Sequence, residues 1–132
     1  MEVNEHKRPV AIIVEDDCQL RELAAALLAE TELGVMECES AEAALSYLQM
    51  HGGDVAMVFA DVRLSGPMDG VALAKAVLKL WPTIKVVLTS GYAQSVIEEL
   101  PPSVTFMPKP WRALEVLVEA DQAVKHPPSA VA

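Results

Sequence analysis

The sequence predicts an α/β fold, a doubly wound parallel sheet of five strands with five helices on its two faces. Three observations carry this. Apolar strand-like runs alternate with helix-like stripes five times along 132 residues. The first run, Val10 to Val14, is apolar without interruption, the pattern of a strand covered on both faces. Polar groups then follow four of the runs: Glu15-Asp16-Asp17, Asp61, Thr89-Ser90 and Lys109-Pro110. In a parallel sheet these strand ends share one edge, where such folds hold their ligands.

The elements follow in order. After the first strand, Leu20, Leu23, Ala24, Leu27 and Leu28 form a 3.6-period stripe on a helix from about Asp17 to Glu30. Gly34 punctuates it, and Val35 to Cys38 make a short second strand. Ser40 is a suitable N-cap for a helix that turns Ala41, Ala44, Leu45 and Leu48 inward and closes at Gly52-Gly53. The third strand, Val55 to Ala60, ends at Asp61, and the glycines and proline of Arg63 to Gly70 mark a loop. A third helix presents Ala74, Val77, Leu78 and Trp81 on one face and stops before Pro82. The fourth strand, Ile84 to Leu88, ends at Thr89, and a short helix near Ala93 to Leu100 is cut off by Pro101-Pro102. A brief fifth strand, Val104 to Met107, leads to a last helix from about Trp111 to Lys125. Five βα units in so short a chain favour the flavodoxin-like strand order 2-1-3-4-5 over a barrel or a dinucleotide fold. The domain is expected to span 9–125, with a lead-in at 1–8 and a flexible tail at 126–132, and no output domain is expected within these residues.

Composition narrows the function. With 52% hydrophobic and 22% charged residues the chain is a folded protein rather than a disordered one. A net charge of −9 argues against nucleic acid as a partner, since that binding rests on cations meeting phosphates. No apolar run spans a membrane, and the polar N-terminus has no export signal, so the expected location is the cytoplasm. Cys18 and Cys38 form no metal or redox motif and are expected to be buried structural thiols. His6, His51 and His126 lack ligand spacing, which argues against zinc.

Each site residue also has a plain reading. Asp17 suits an N-cap as well as it suits a ligand. Glu15 and Asp16 end an apolar strand, and paired carboxylates there call for a counter-charge, with oxygen donors pointing to Mg²⁺. Asp61 is either a loop cap or the third carboxylate of that site, placed to attack an electrophilic phosphorus. Thr89 is either a β-branched strand residue or a hydroxyl donor to a phosphoryl oxygen. Lys109 stands between Pro108 and Pro110, which fix its backbone, and can pair with Asp61; the Lys109-Pro110 bond is a candidate for cis.

Together these motifs resemble the receiver domain of two-component response regulators, over about Pro9 to Lys125, a family whose standalone example is the small bacterial chemotaxis regulator. The motifs are the acidic pair, Asp61 with the loop ending Met68-Asp69-Gly70, Thr89, and Lys109-Pro110. The resemblance implies that Asp61 is the phosphoacceptor and that Asp16 and Asp61 bind Mg²⁺ directly. Glu15 would act through water and Arg63 through its backbone carbonyl. Thr89 and Lys109 would contact the phosphoryl group, and Phe106 would be the aromatic whose rotamer couples to Thr89. The donor would be a phosphohistidine on a histidine kinase or histidine phosphotransfer protein, and the output a downstream protein target. Enzymatic chemistry beyond gain and loss of the chain's own phosphoryl group is not expected. The chain departs from the common pattern in a loop after Asp61 that is about one residue longer, in Ser65 where proline is frequent, and in Phe106 where tyrosine is common. Arg63 lies two residues past Asp61, a position that influences phosphoryl lifetime in the family. The alternative is a receiver-fold interaction module that works without phosphorylation, or a phosphate sink.

Overall fold

A computed structural model describes residues 8–91 and 100–128. Five strands, β1 (Val10–Val14), β2 (Gly34–Cys38), β3 (Val55–Asp61), β4 (Lys85–Ser90) and β5 (Thr105–Pro108), form one sheet in the order β2-β1-β3-β4-β5. All four pairings are parallel. The strand order expected from the alternation is therefore the one observed.

Four α-helices lie among the described residues: α1 (Cys18–Leu28), α2 (Ala41–His51), α3 (Gly70–Leu80) and α4 (Ala113–Lys125). The further helix expected near Ala93 to Leu100 falls almost wholly outside the described residues, as do most of the lead-in and the last four residues of the tail.

The period-2 alternation of the strands sorts the core into two layers. Ala11, Ile13, Met57, Phe59, Val87 and Met107 pack against Ala24 and Leu28 of α1 and Val116, Ala120 and Ala123 of α4. Ile12, Val14, Val58, Ala60, Val86 and Leu88 pack on the other side against Ala41, Ala44 and Leu48 of α2 and Leu73, Ala74 and Val77 of α3. Both layers are needed because a parallel sheet exposes no face to water.

Helix starts follow the sequence closely. Asp17 caps α1, accepting from the N–H groups of Gln19 and Leu20, so its plain reading holds. Ser40 caps α2 through Ala43 N–H, and Asp69 caps α3 through Ala72 N–H. Other expectations need correction. Leu23 is 51% exposed, so the inward stripe of α1 is narrower than the pattern suggested. Cys18 is exposed on the first turn of α1 and only Cys38 is buried, where loss of water raises its thiol pKa. Gly52 does not end α2 with a left-handed cap. Its φ is −56° and it enters a single 3₁₀ turn, Gly52–Asp54. Its lack of a side chain serves packing, because a Cβ there would overlap the Trp81 indole. The only positive φ among the described residues is at Gly66, 96°, in the loop after β3.

Candidate functional site at the carboxyl edge of the sheet

The ladders carry the polar residues to one place. Asp61 is the last residue of β3 and is in register with Thr89 near the end of β4. Beyond the strands, Val62 N–H donates to Thr89 O (2.9 Å), Lys109 N–H to Ser90 O (3.0 Å) and Glu15 N–H to Cys38 O (3.2 Å), which ties the strand ends together. Glycine is required behind Asp61. A Cβ on Gly70 would run into the Asp61 carbonyl oxygen and would lie 2.8 Å from Val62 Cα. The first turn of α3 reaches β3 only because that atom is missing.

Lys109 Nζ stands between two buried carboxylates, donating to Asp61 Oδ2 (2.9 Å) and to Glu15 Oε1 (3.1 Å). The other Asp61 oxygen, Oδ1, accepts from Arg63 N–H (3.1 Å), and Glu15 Oε2 accepts from Asp17 N–H (3.1 Å). Arg21 donates to the Glu15 carbonyl oxygen at 2.7 Å, fixing the turn from β1 into α1. Asp16 is exposed, and its Oδ2 accepts from Ser65 N–H at 3.1 Å. Ser65, which departs from the family's frequent proline, thus has the amide that a proline lacks. Glu42 of α2 holds the far side of the same loop by accepting from Met68 N–H.

Burial shapes the protonation of the cluster. Loss of water raises the Glu15 pKa, and the neighbouring Asp61 charge pushes the same way. The Asp17 amide and Lys109 offset part of the rise. Burial also works against the Lys109 ammonium, yet its bonds to Asp61 and Glu15 win and hold its pKa above the ordinary lysine value. One oxygen each of Glu15, Asp16 and Asp61 lie within 4.8 Å of one another. Three hard oxygen donors so grouped fit a Mg²⁺-type cation rather than a thiol- or imidazole-seeking metal. Three carboxylates and one ammonium leave these four side chains at a formal −2, which a divalent ion balances.

The remaining expected residues divide. Thr89 is 1% exposed and shares the carboxyl edge with Asp61. Phe106 is in register with Leu88 and packs into the layer that includes Leu100 and Val104. A second aromatic, Trp111, meets the Thr89 hydroxyl directly: its Nε1–H donates to Thr89 Oγ1 at 2.6 Å. The Trp111 ring packs edge-on against Phe59 (centroids 5.2 Å apart). Its centroid is 6.0 Å from Lys109 Nζ. The helical pattern predicts Trp111 at the start of the last helix. That helix begins at Ala113, and the loop before it, after a cis Lys109-Pro110 bond, carries the indole into the site. The available signal was an aromatic donor two residues beyond a strand-end lysine.

This fold and this edge define a class, and comparison with known proteins gives its family. The response regulator receiver domain model matches residues 11–119, and the chain belongs to that family. It is 33% identical over 103 residues to the sensor kinase CckA of Brucella abortus, covering 76% of this chain and 11% of that protein. It is 28% identical over 123 residues to the DNA-binding transcriptional regulator NtrC of Klebsiella pneumoniae, covering 91% of this chain and 26% of that one. The chain thus spans about a quarter or less of the length of these two relatives. In fold it is similar to a response regulator receiver protein of Sinorhizobium medicae, with a TM-score of 0.82 at 20% identity over 91% of this chain and 97% of the other. Receiver domains are signalling modules of two-component systems. No helix among the described residues is long and apolar enough to cross a membrane.

Proposed function

We propose that this receiver takes a phosphoryl group onto Asp61 from the phosphohistidine of a histidine kinase or histidine phosphotransfer protein. The observation that carries the reading is the buried Asp61 carboxylate, paired with Lys109 and grouped with Glu15 and Asp16. In the transfer an Asp61 oxygen forms a bond to phosphorus as the phosphorus–nitrogen bond to histidine breaks, and the released imidazole takes up a proton. Little covalent work is asked of the protein, so positioning and charge do most of it.

Lys109 steadies Asp61 and meets the charge on the incoming phosphoryl oxygens. Thr89 offers its hydroxyl to another of those oxygens. Asp16, Asp61 and the Arg63 carbonyl would hold Mg²⁺, with Glu15 reaching it through water. When bound, that ion neutralises the phosphoryl oxygens during transfer. The change at Asp61 and Thr89 then shifts a pre-existing equilibrium of the neighbouring surface, with Phe106 as the switch aromatic, and so alters contact with a downstream protein target. In this reading the chain works in the cytoplasm, binds no nucleic acid itself, and has no enzymatic role beyond gain and loss of its phosphoryl group.

Incubation with acetyl phosphate and Mg²⁺, read by intact-protein mass, is expected to add one phosphoryl group to the wild type and none to Asp61→Asn. An unlabelled wild type would sink the proposal and favour a module that works without phosphorylation.

A further inference from the structure

We propose that Trp111 is a positioning residue for phosphoryl binding, orienting the Thr89 hydroxyl as a donor toward the group on Asp61. The inference rests on the reading of Asp61 as phosphoacceptor and goes beyond it, to a residue outside the expected site. The indole N–H can only donate, whereas a hydroxyl carries one donor and two acceptor sites. With Trp111 Nε1–H filling one acceptor site of Thr89 Oγ1 at 2.6 Å, the hydroxyl hydrogen has to point away from the indole.

Asp61 is the register partner of Thr89. One strand spacing, about 4.8 Å, separates the two backbones, so a phosphoryl oxygen on Asp61 falls within reach of that hydrogen. The indole is itself held: its edge contact with Phe59 anchors it to β3 two residues before Asp61. Thr89 and Phe59 are both about 1% exposed, so water does not compete freely for the hydroxyl. Trp111 also lines the small space beneath the site with Glu15, Asp61 and Thr89. Both partners of the Trp111–Thr89 bond therefore serve one task, and the bond is kept when the site is loaded.

The test uses beryllofluoride with Mg²⁺, a stable mimic of the aspartyl phosphate. Trp111→Phe keeps a ring and removes the donor. It is expected to weaken beryllofluoride binding about threefold to tenfold, the range of one net hydrogen bond. In a Thr89→Ala background the same substitution is expected to change affinity by less than about 1.5-fold, since the two act through one bond. An equal loss in both backgrounds, or no loss in either, overturns the inference. Should Trp111→Phe fail to fold, the wild type decides by NMR. The Trp111 indole N–H resonance stays protected from solvent exchange on adding beryllofluoride if the bond persists, and loss of that protection overturns the inference. A wild type that binds no beryllofluoride removes the phosphoacceptor reading and this one together. A wild type that binds it equally well as Trp111→Phe removes only this one.

Discussion

The two edges of the same five-stranded sheet treat charge in opposite ways. At the carboxyl edge sit all four polar residues buried among the described ones: Glu15, Asp61, Thr89 and Ser90. One cation there, Lys109, answers two carboxylates. At the amino edge, where β4 begins, Lys85 meets a single carboxylate, Glu119, at 2.9 Å, and its neighbour Ile84 is 1% exposed. One cation to one anion balances in charge, although Glu119 Oε1 accepts no hydrogen bond from the described residues and Lys85 donates instead to Thr105 Oγ1. Two carboxylates on one lysine, with a third within 4.8 Å, form a group still short of positive charge. Buried like charges are unfavourable unless something offsets them, so under the proposed function the imbalance marks the binding edge, and the balanced pair marks an edge that holds the fold.

Substitutions at each edge should therefore separate function from stability. The largest effect is expected from Asp61→Asn, which should abolish phosphoryl labelling while moving unfolding stability by no more than about 1 kcal/mol. Glu15 still accepts from Lys109, and the repulsion between Glu15 and Asp61 is gone. A collapse in denaturant midpoint would break the contrast. Ile84→Ala at the amino edge should do the reverse, costing about 2–5 kcal/mol through lost burial and a cavity, with Mg²⁺ affinity of the folded protein unchanged.

Gly52→Ala is smaller in effect. Its Cβ would press on the Trp81 indole, a side chain that can shift, so about 1–3 kcal/mol is expected in thermal or denaturant unfolding. The least is expected from alkaline pH. The Lys109 pKa is raised above 10.5, so its contribution to stability is fully present below 10.5 and is lost as pH rises through the higher folded value. Cys38 acts in the same direction from about its ordinary 9.0, because the unfolded thiol ionises first. Denaturant midpoints between about pH 9 and about pH 12 should therefore fall, and the part above 10.5 should flatten in Lys109→Met.

Much of the fold was legible because its signals are local. Val10 to Val14 is a buried strand by its own composition, and Asp17, Ser40 and Asp69 cap helices through amides two or three residues ahead. Parallel topology then set Glu15, Asp61, Thr89 and Lys109 on one edge without any side-chain detail. Where reading failed, the cause lay across space. Leu23 fits a helical stripe, yet it remains half exposed on α1. Gly52 closes α2 as its position predicts, but what demands glycine there is an indole 29 residues later, at the end of α3.

By itself, then, the sequence determined the sheet, its order and which residues reach its carboxyl edge, since periodicity and strand ends depend on neighbours in the chain. Only the tertiary structure decided what those residues do to one another. The pairing of Lys109 with Asp61 already follows from their strand-end positions, but Lys109 also joins Glu15 across 94 positions, and Trp111 meets Thr89 across 22. No local pattern encodes such pairings, because each depends on how two packed layers bring separate strand ends and the loop after β5 within a hydrogen bond's length.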